Sequence, residues 1–195
     1  MGKESRCSWP GSDTLMVKYH DEEWGVPCHD DRKLLEYIVL DTFQAGLSWA
    51  IVLSKREGFR RAFDNFDPTK IAMYNEDKLA SLLQDPGIIR NRLKVYGTVA
   101  NAQAFLKIQK EFGSFDKYIW KLVGGKPIIN HHLKGSDIGS SSTESDAMSI
   151  DMKKRGFKFV GSTICYAFMQ GAGLVNDHLV SCFRYAEVQT PTAGD

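Results

Sequence analysis

Two Cys–His pairs near opposite ends of the chain place the strongest constraint on its fold. Cys7 and His20 lie near the N-terminus, and His178 and Cys182 lie near the C-terminus. The second pair has i,i+4 spacing, so in a helix its imidazole and thiolate would share one face, about 6 Å apart at Cβ. Two thiolates and two imidazoles form a common closed set for structural zinc, which leaves no position for a catalytic water. The pattern predicts a structural zinc site that ties the two ends together, and buried thiols with ordinary histidines are the alternative.

The other cysteines and histidines make weaker candidate ligands. Cys28 and His29 are adjacent, as are His131 and His132, so the side chains within each pair point apart. Cys165 lies in an apolar run and is interpreted as a small core residue.

Composition favours one core and an intracellular location. A chain of 195 residues with 43% hydrophobic content can bury one good core. No apolar run approaches the roughly 18 residues that indicate a membrane span, and the first residues carry no apolar stretch typical of a signal peptide. Four cysteines beside histidines fit a reducing compartment better than a disulfide framework. We expect a cytoplasmic monomer that does not enter membranes.

Charge is segregated along the chain, although the formal net charge is only +1. Acidic residues concentrate at 21–23 and 144–151. Basic residues cluster at three places: Lys55 with Arg56, Arg60 and Arg61; Arg90 with Arg92 and Lys94; and Lys153 with Lys154, Arg155 and Lys158. Such clusters indicate either a local surface for an anionic partner or, more commonly, solvated helix faces.

Hydrophobic periodicity predicts an all-α protein. A helix begins at Asp31, capped by Asp30 or Asp31, and strand-type alternation is nearly absent. Further helices are predicted over residues 48–63, 68–73, 76–83, 92–112, 115–123, from 141–144 to about 155, and from 162–164 to about 171.

The last two predicted helices flank a short segment bracketed by Gly156 and Gly161. Ser141 and Glu144 have the spacing of a capping box at the start of the first helix. A glycine turn before a helix directs backbone N–H groups at an anion, and phosphate binds readily at such places. Lys158 would add charge attraction. The alternative is a helical corner made only for packing.

Four segments together resemble the DNA-3-methyladenine glycosylase I (Tag-type) family: residues 19–25 (YHDEEWG), 44–49 (QAGLSW), 156–161 (GFKFVG) and 173–178 (GLVNDH). The resemblance implies a single domain over residues 1–195 with the helix-hairpin-helix DNA glycosylase fold. In this organisation a helical subdomain covers about 31–145, and zinc joins segments 1–30 and 146–185. The implied zinc ligands are the same four residues: Cys7, His20, His178 and Cys182.

The family hydrolyses the N-glycosidic bond of 3-methyladenine in alkylated double-stranded DNA and releases the free base. The resemblance implies catalytic roles for Asp41, Tyr19 and Trp49. The base pocket adds Trp9 and Trp24. Trp49 would stack on the base, Tyr19 would form a second aromatic wall, and Asp41 would lie near the cationic base. Core packing is the alternative for such aromatic residues.

Two positions depart from the family pattern. Asp41 stands where a close family member has glutamate, so the carboxylate is one methylene shorter. Met16 replaces a tyrosine three residues before the Tyr-His pair. These departures keep open a second hypothesis, a catalytically silent, zinc-containing module that binds alkylated or flipped bases. A zinc hydrolase is a third, against which four protein ligands argue.

DNA contacts are expected from two segments. The amides of Gly161, Ser162 and Thr163, together with Lys158, are the candidates for binding phosphate. Leu47 is the candidate wedge into the base stack, with ordinary burial as its alternative. No lysine occupies an evident nucleophile position, so we expect a monofunctional glycosylase. Asp177 directly precedes the ligand His178 and receives no catalytic role.

Overall fold

Helices account for most of the chain in the computed structural model, which describes residues 5–190. Eleven α-helices lie within that range: α1 (Thr14–Glu22), α2 (Asp31–Gln44), α3 (Trp49–Ser54), α4 (Arg56–Ala62), α5 (Pro68–Ile71), α6 (Glu76–Leu82), α7 (Arg92–Phe112), α8 (Phe115–Lys121), α9 (Thr143–Lys154), α10 (Ser162–Gly171) and α11 (Phe183–Glu187). Short 3₁₀ helices cover Asp64–Phe66 and Gly135–Asp137. None of the helices in the described part is long and apolar enough to span a membrane.

A minimal parallel sheet qualifies the all-α prediction. Strands β1 (Ile128–Ile129) and β2 (Val175–Asn176) pair with Ile128 opposite Val175. Two residues per strand are too few to give the alternating pattern by which strands are recognised in a sequence. The protein is therefore mostly helical.

Helix boundaries follow the capping residues. The Asp30 carboxylate accepts the Lys33 N–H at 2.7 Å and starts α2. Asn91 caps α7 in the same way, and Gly113 ends it with a φ of 89°, a conformation that glycine adopts without strain.

Two local predictions were wrong. The single helix over 48–63 is broken at Lys55, which ends α3 and precedes α4. After this bend Gly58 packs directly on Gly87. A Cβ added at Gly58 would lie 2.1 Å from the Gly87 carbonyl oxygen. The capping box of α9 joins Ser142 and Ser145 rather than Ser141 and Glu144. The Ser142 hydroxyl accepts the Ser145 N–H, and the Ser145 hydroxyl accepts the Ser142 N–H.

Helix α2 forms the centre of the core and carries one acidic residue into it. Leu34 to Phe43 are all buried, and α3, α7, α8 and α10 pack around them. Asp41 lies in the last turn of this helix, with only 5% of its surface exposed.

The two ends of the chain meet beside this core. The Phe183 N–H donates to the Ser5 carbonyl at 2.9 Å, and the Gly25 N–H donates to the Gln170 carbonyl at 2.9 Å. The Cys28 N–H donates to the Ala172 carbonyl at 3.0 Å. The segment before α2 is thus hydrogen-bonded to α10 and to the residues that follow it.

Candidate active site and metal centre

The four residues of the two Cys–His pairs converge in one buried cluster. Cys7, His20, His178 and Cys182 offer ligand atoms that all lie within 4.8 Å of one another. The Cys182 Sγ lies 3.6 Å from both His20 Nε2 and His178 Nδ1, and the Cys7 Sγ lies 3.8 Å from His178 Nδ1. A tetrahedral zinc site, with Zn–S near 2.3 Å and Zn–N near 2.0 Å, has S···N edges of about 3.6 Å. The donor set and its spacing therefore fit zinc.

The second nitrogen of each imidazole is also held, as is usual for a metal ligand. His20 Nδ1 donates to the Asp21 carboxylate at 2.7 Å, and Arg6 binds the same carboxylate with two N–H groups. His178 Nε2 donates to the Trp24 carbonyl at 2.8 Å. These partners leave His20 Nε2 and His178 Nδ1 as the lone-pair nitrogens that face the sulfurs.

The two sulfurs of the cluster have opposite pKa shifts. A hydrogen bond from the Cys7 thiol lowers the pKa of Cys182 to about 2. The same interaction raises the pKa of Cys7, whose Sγ also accepts the Leu179 N–H at 3.4 Å. A buried thiolate beside three further donors favours a divalent cation.

The pairing of His178 with Cys182 does not come from a helix, which is the arrangement in which their i,i+4 spacing would place them on one face. Residues 177–182 form a turn in which the Cys182 N–H donates to the Leu179 carbonyl, and α11 begins only at Phe183. The turn brings residues four apart together as a helix would.

The remaining cysteines and histidines lie outside the cluster and have other partners. His29 contacts Asp116, His132 contacts Asp177, and His131 contacts Tyr185. Cys28 and Cys165 are buried in the hydrophobic core.

An aromatic cleft of about 430 Å³ lies next to the Cys–His cluster. Tyr19 and Trp49 line it with ring centroids 5.1 Å apart and planes inclined by 51°. Trp9 also lines the cleft, edge-on to Trp24 at 5.1 Å. All five residues expected in the base pocket are therefore brought to one cavity: Trp9, Tyr19, Trp24, Asp41 and Trp49.

Trp24 packs against the Cys–His cluster as well as lining the cleft. Its ring packs edge-on against His178 with centroids 4.7 Å apart and stacks on His20 at 6.0 Å. Only 7% of its surface is exposed. Its indole therefore forms the partition between the two sites.

Asp41 is the most unusual polar group of the cleft. Its Oδ2 is buried and has no hydrogen-bond partner among the described residues, and burial raises the pKa of Asp41 well above its usual range. The indole Nε1 atoms of Trp9 and Trp49 are also buried without a partner in the described part of the chain. Unsatisfied buried polar groups are costly, so their concentration in one cavity indicates a polar ligand.

Tyr19 remains a hydrogen-bond donor at any physiological pH. Burial, reinforced by the Asp41 and Glu23 carboxylates, raises the pKa of Tyr19 well above its usual range. Its hydroxyl lies so close to Gly171 that a Cβ there would meet it at 2.9 Å. The phenol is thus fixed against α10 while its ring faces Trp49.

Sequence reasoning missed part of the cleft wall. Gln44, Tyr166, Gln170 and the loop over 135–140 also line the cavity, beside Met16, which was already identified as a departure from the family pattern. The loop gives no periodic signal, and the two α10 residues look like ordinary helix positions in the sequence. Thr163, expected at the phosphate, lines the cleft as well.

Asp177 organises this unpredicted wall. Its buried carboxylate accepts hydrogen bonds from Tyr166 at 2.7 Å and Gln170 at 2.8 Å, and also from Asn130 and His132. With four donors on its two oxygens, Asp177 holds side chains in place and has little capacity left to activate a water.

The segments expected to touch DNA are exposed. Leu47 is 40% exposed and follows Gly46, whose φ of 82° completes a tight turn. The Lys158 side chain is exposed, and Gly161 precedes α10 without a side-chain cap on the N–H groups of the first turn. The Ser162 hydroxyl pairs with the Ser145 hydroxyl at 2.8 Å.

Many residues of the basic clusters bind within the protein. Arg56 is buried and pairs with Glu23 and Glu36, and Arg155 pairs with Glu111 and Asp151. The Lys94 ammonium is buried against backbone carbonyls. Arg56 and Lys94 are buried, so neither alternative suggested by the charge pattern is correct for these two residues, whereas Arg155 stays partly exposed in surface ion pairs.

Comparisons with known proteins agree with this geometry. The family model for methyladenine glycosylases matches residues 9–185. The chain is 48% identical over 180 residues to DNA-3-methyladenine glycosylase 1 of Escherichia coli (strain K12), covering 92% of this chain and 96% of that protein. It is 46% identical over 178 residues to a DNA-3-methyladenine glycosylase of Haemophilus influenzae, covering 91% and 96%.

Solved structures match over the same range. A crystal structure of 3-methyladenine DNA glycosylase I has a TM-score of 0.89 at 49% identity, covering 92% of this chain and 98% of that chain. A structure from Staphylococcus aureus, described as the basis of 3-methyladenine recognition, has a TM-score of 0.90 at 33% identity, covering 98% and 100%. The chain therefore belongs to the methyladenine glycosylase family.

Proposed function

We propose that this protein is a monofunctional DNA glycosylase that hydrolyses the N-glycosidic bond of 3-methyladenine in alkylated DNA. The observation that carries the proposal is the buried, partnerless Asp41 Oδ2 in a cleft walled by Tyr19 and Trp49. The family to which the chain belongs supports the same activity.

The chemistry of the substrate suits this cleft. Methylation at N3 makes the deoxyadenosine base cationic, so the base is a good leaving group and needs little acid catalysis. A base inside a duplex must first be flipped out, which costs a few kcal/mol, and then held by stacking and edge hydrogen bonds. Recognition of the flipped cation can therefore supply most of the selectivity.

Each pocket residue has a role in the proposal. Trp49 stacks on the base, since a cation on an indole face gains about 0.5–2 kcal/mol. Tyr19 donates a hydrogen bond from its protonated phenol, and Asp41 accepts from the base edge. Trp9 and Trp24 complete the aromatic enclosure. Because burial raises the pKa of Asp41, a cationic base that enters the cleft stabilises the carboxylate form of Asp41, which neutral adenine does not.

The two departures from the family pattern act on specificity. The shorter Asp41 side chain reaches less far than glutamate, so a water molecule completes its contact with the base. Met16 gives the cleft apolar bulk without a hydroxyl. Both changes weaken discrimination among methylated bases. The stacking on Trp49 and the attraction between Asp41 and the cationic base remain.

We propose glycosylase chemistry without strand cleavage. No lysine lines the cleft among the described residues, and Asp177 is committed to four hydrogen bonds. A borohydride-trapped adduct with abasic DNA would contradict this part of the proposal.

Zinc is proposed as a structural ion held by Cys7, His20, His178 and Cys182. Four protein ligands would close its coordination, so it supplies no reactive water. Its contribution is to fix segment 1–30 to segment 146–185 beside the helical subdomain over about 31–145.

The proposed DNA interface uses α9, α10 and their connection as the helix-hairpin-helix element. The free N–H groups of Gly161, Ser162 and Thr163 bind a phosphate, assisted by Lys158, and Leu47 fills the gap left by the flipped base. The protein acts on double-stranded DNA as a monomer in the cytoplasm, where the reducing environment keeps its four buried cysteines free of disulfides.

The test is release of free bases from dimethyl-sulfate-treated duplex DNA, resolved by chromatography. The wild type should release 3-methyladenine, and Trp49→Ala and Asp41→Asn should both slow release, by about 10-fold or more for the lost stacking contact. Lys107→Ala, on the exposed side of α7, is the control. No release by the folded, zinc-loaded wild type would favour the silent binding module instead.

A further inference from the structure

One face of helix α7 contacts both segments that the proposed function assigns to DNA. Lys94, Gly97 and Asn101 follow i, i+3 and i+7 spacing, so they lie on one side of the helix. Seven residues of helix span about 10 Å, or two turns.

Lys94 holds the turn that carries Leu47. Its buried ammonium donates to the Phe43 carbonyl at 3.0 Å and to the Ala45 carbonyl at 2.6 Å, at the C-terminal end of α2. The turn closes with the Leu47 N–H donating to the Gln44 carbonyl at 2.6 Å. A cation at these carbonyls satisfies groups that the helix leaves unpaired and complements the helix dipole.

Asn101 holds the segment between α9 and α10. Its fully buried amide accepts the Lys158 N–H at 2.7 Å and donates to the Lys158 carbonyl at 3.2 Å. The next residue, Phe159, has a φ of 59°, and its ring lies over Gly97, where a Cβ would meet it at 3.0 Å. The absence of a side chain at position 97 lets this segment lie close to α7.

We infer that this face of α7 sets the separation between the Leu47 turn and the Lys158–Thr163 segment, with Lys94 and Asn101 as positioning residues for DNA engagement. The inference rests on the proposed function. A wedge and a phosphate site act on the same duplex only if their spacing is fixed before binding, because each loop that must be ordered on contact weakens association.

The nature of the contacts supports this role over simple packing. A buried ammonium costs free energy that an apolar side chain of similar size would not. The Lys94 ammonium offsets that cost by donating to carbonyls of the turn. The Asn101 amide uses both its oxygen and its N–H group to bind the backbone of one residue, Lys158. Each side chain fixes backbone position in a way that methyl groups cannot.

The test uses a duplex that contains a tetrahydrofuran abasic analogue next to 2-aminopurine. Insertion of Leu47 should unstack the 2-aminopurine and raise its fluorescence at saturating protein, and Leu47→Ala should abolish that rise. Lys94→Met should bind within about threefold of wild type but lose most of the rise, because its wedge turn is released. Asn101→Leu should bind about tenfold more weakly yet keep the rise at saturation, since it affects a phosphate contact.

Folding is checked separately by zinc content and by binding of free 3-methyladenine, which Lys94→Met and Asn101→Leu should leave unchanged. Should Lys94→Met fail to fold, Lys94→Gln, which removes the charge but keeps one donor group, should show a smaller loss of the rise than full release of the turn would give. Lys107→Met, on the same helix, is the matched control.

Wild-type fluorescence and affinity in both Lys94→Met and Asn101→Leu would overturn the inference. The abasic duplex holds nothing to excise, so this readout is independent of catalysis. Failure of the wild type to release 3-methyladenine from alkylated DNA would count against the proposed function alone.

Discussion

Tyr19 and His20 are neighbours in α1 yet face two different sites. The Tyr19 ring meets Trp49 across the cleft at 5.1 Å, whereas His20 Nε2 lies 3.6 Å from the Cys182 sulfur. Any ion held by the cluster would thereby fix the backbone that presents the phenol. The Cys–His cluster and the cleft are coupled through one peptide unit.

Loss of a metal ligand should therefore destabilise the protein. We expect Cys182→Ser to abolish the one-to-one zinc content and to lower the Tm, because an ion present at 100 times its Kd stabilises the native state by about 2.7 kcal/mol. Elemental analysis and thermal unfolding with and without a chelator measure this. Cys28→Ser, at a buried cysteine outside the cluster, should retain the metal. Equal zinc content in both variants would contradict the assignment.

Asp41→Asn should make the protein more stable while making it less active. Since the folded-state pKa of Asp41 is raised, the native state binds more protons than the unfolded state between the unfolded pKa and the folded pKa. Stability therefore falls as pH rises through that window, and the cost persists at neutral pH. Replacing the ionisable carboxyl group with an amide should reduce the dependence of stability on pH. A gain of 1 kcal/mol in the free energy of unfolding raises Tm by about 2–4 °C.

The measurement is thermal unfolding of wild type and Asp41→Asn from acid to neutral pH. Asp67→Asn is an instructive comparison. The hydrogen bond from Thr69 lowers the pKa of Asp67, so the ionised Asp67 stabilises the native state and its replacement should lower stability at neutral pH. The prediction would be contradicted if the Tm of the wild type rose above that of Asp41→Asn as the pH increases, because the cleft would then stabilise the Asp41 carboxylate.

The contact between the base and Trp49 should depend on ring size. Trp49→Phe should retain part of the stacking and slow release of 3-methyladenine less than Trp49→Ala does. Alanine substitution of a stacking aromatic removes about 1–3 kcal/mol of stacking free energy per base. Single-turnover release from alkylated duplex DNA separates this effect from product release. Identical rates for the two variants would argue that the indole only packs against Tyr19.

Lys158→Ala should weaken binding to methylated and unmethylated duplexes alike. Its side chain is exposed and its backbone is held by Asn101, so the substitution spares the fold. Loss of one phosphate contact reduces the slope of log affinity against log salt by about 1. Fluorescence anisotropy over a salt series gives that slope, and an unchanged slope would remove Lys158 from the interface.

Sequence reasoning was most effective where chemistry is carried by rare residue types. Four Cys and His residues, placed in two pairs, predicted the cluster that the fold assembles, and α2 and α7 followed from their caps and periodicity. Helix α1 was missed because nine mostly polar residues give little periodic signal. Asp177 could not be understood from its neighbours, since its donors come from positions 130, 132, 166 and 170.

The hydrogen-bonded junction of the two chain ends also sets the order in which activity can arise during synthesis. Cys7 must wait for His178, 171 residues later, and the cleft takes its walls from both ends. Contacts of such long sequence separation form late in folding. A nascent chain can thus assemble its central helices on the ribosome, but it becomes able to act on DNA only after His178 and Cys182 have been synthesised.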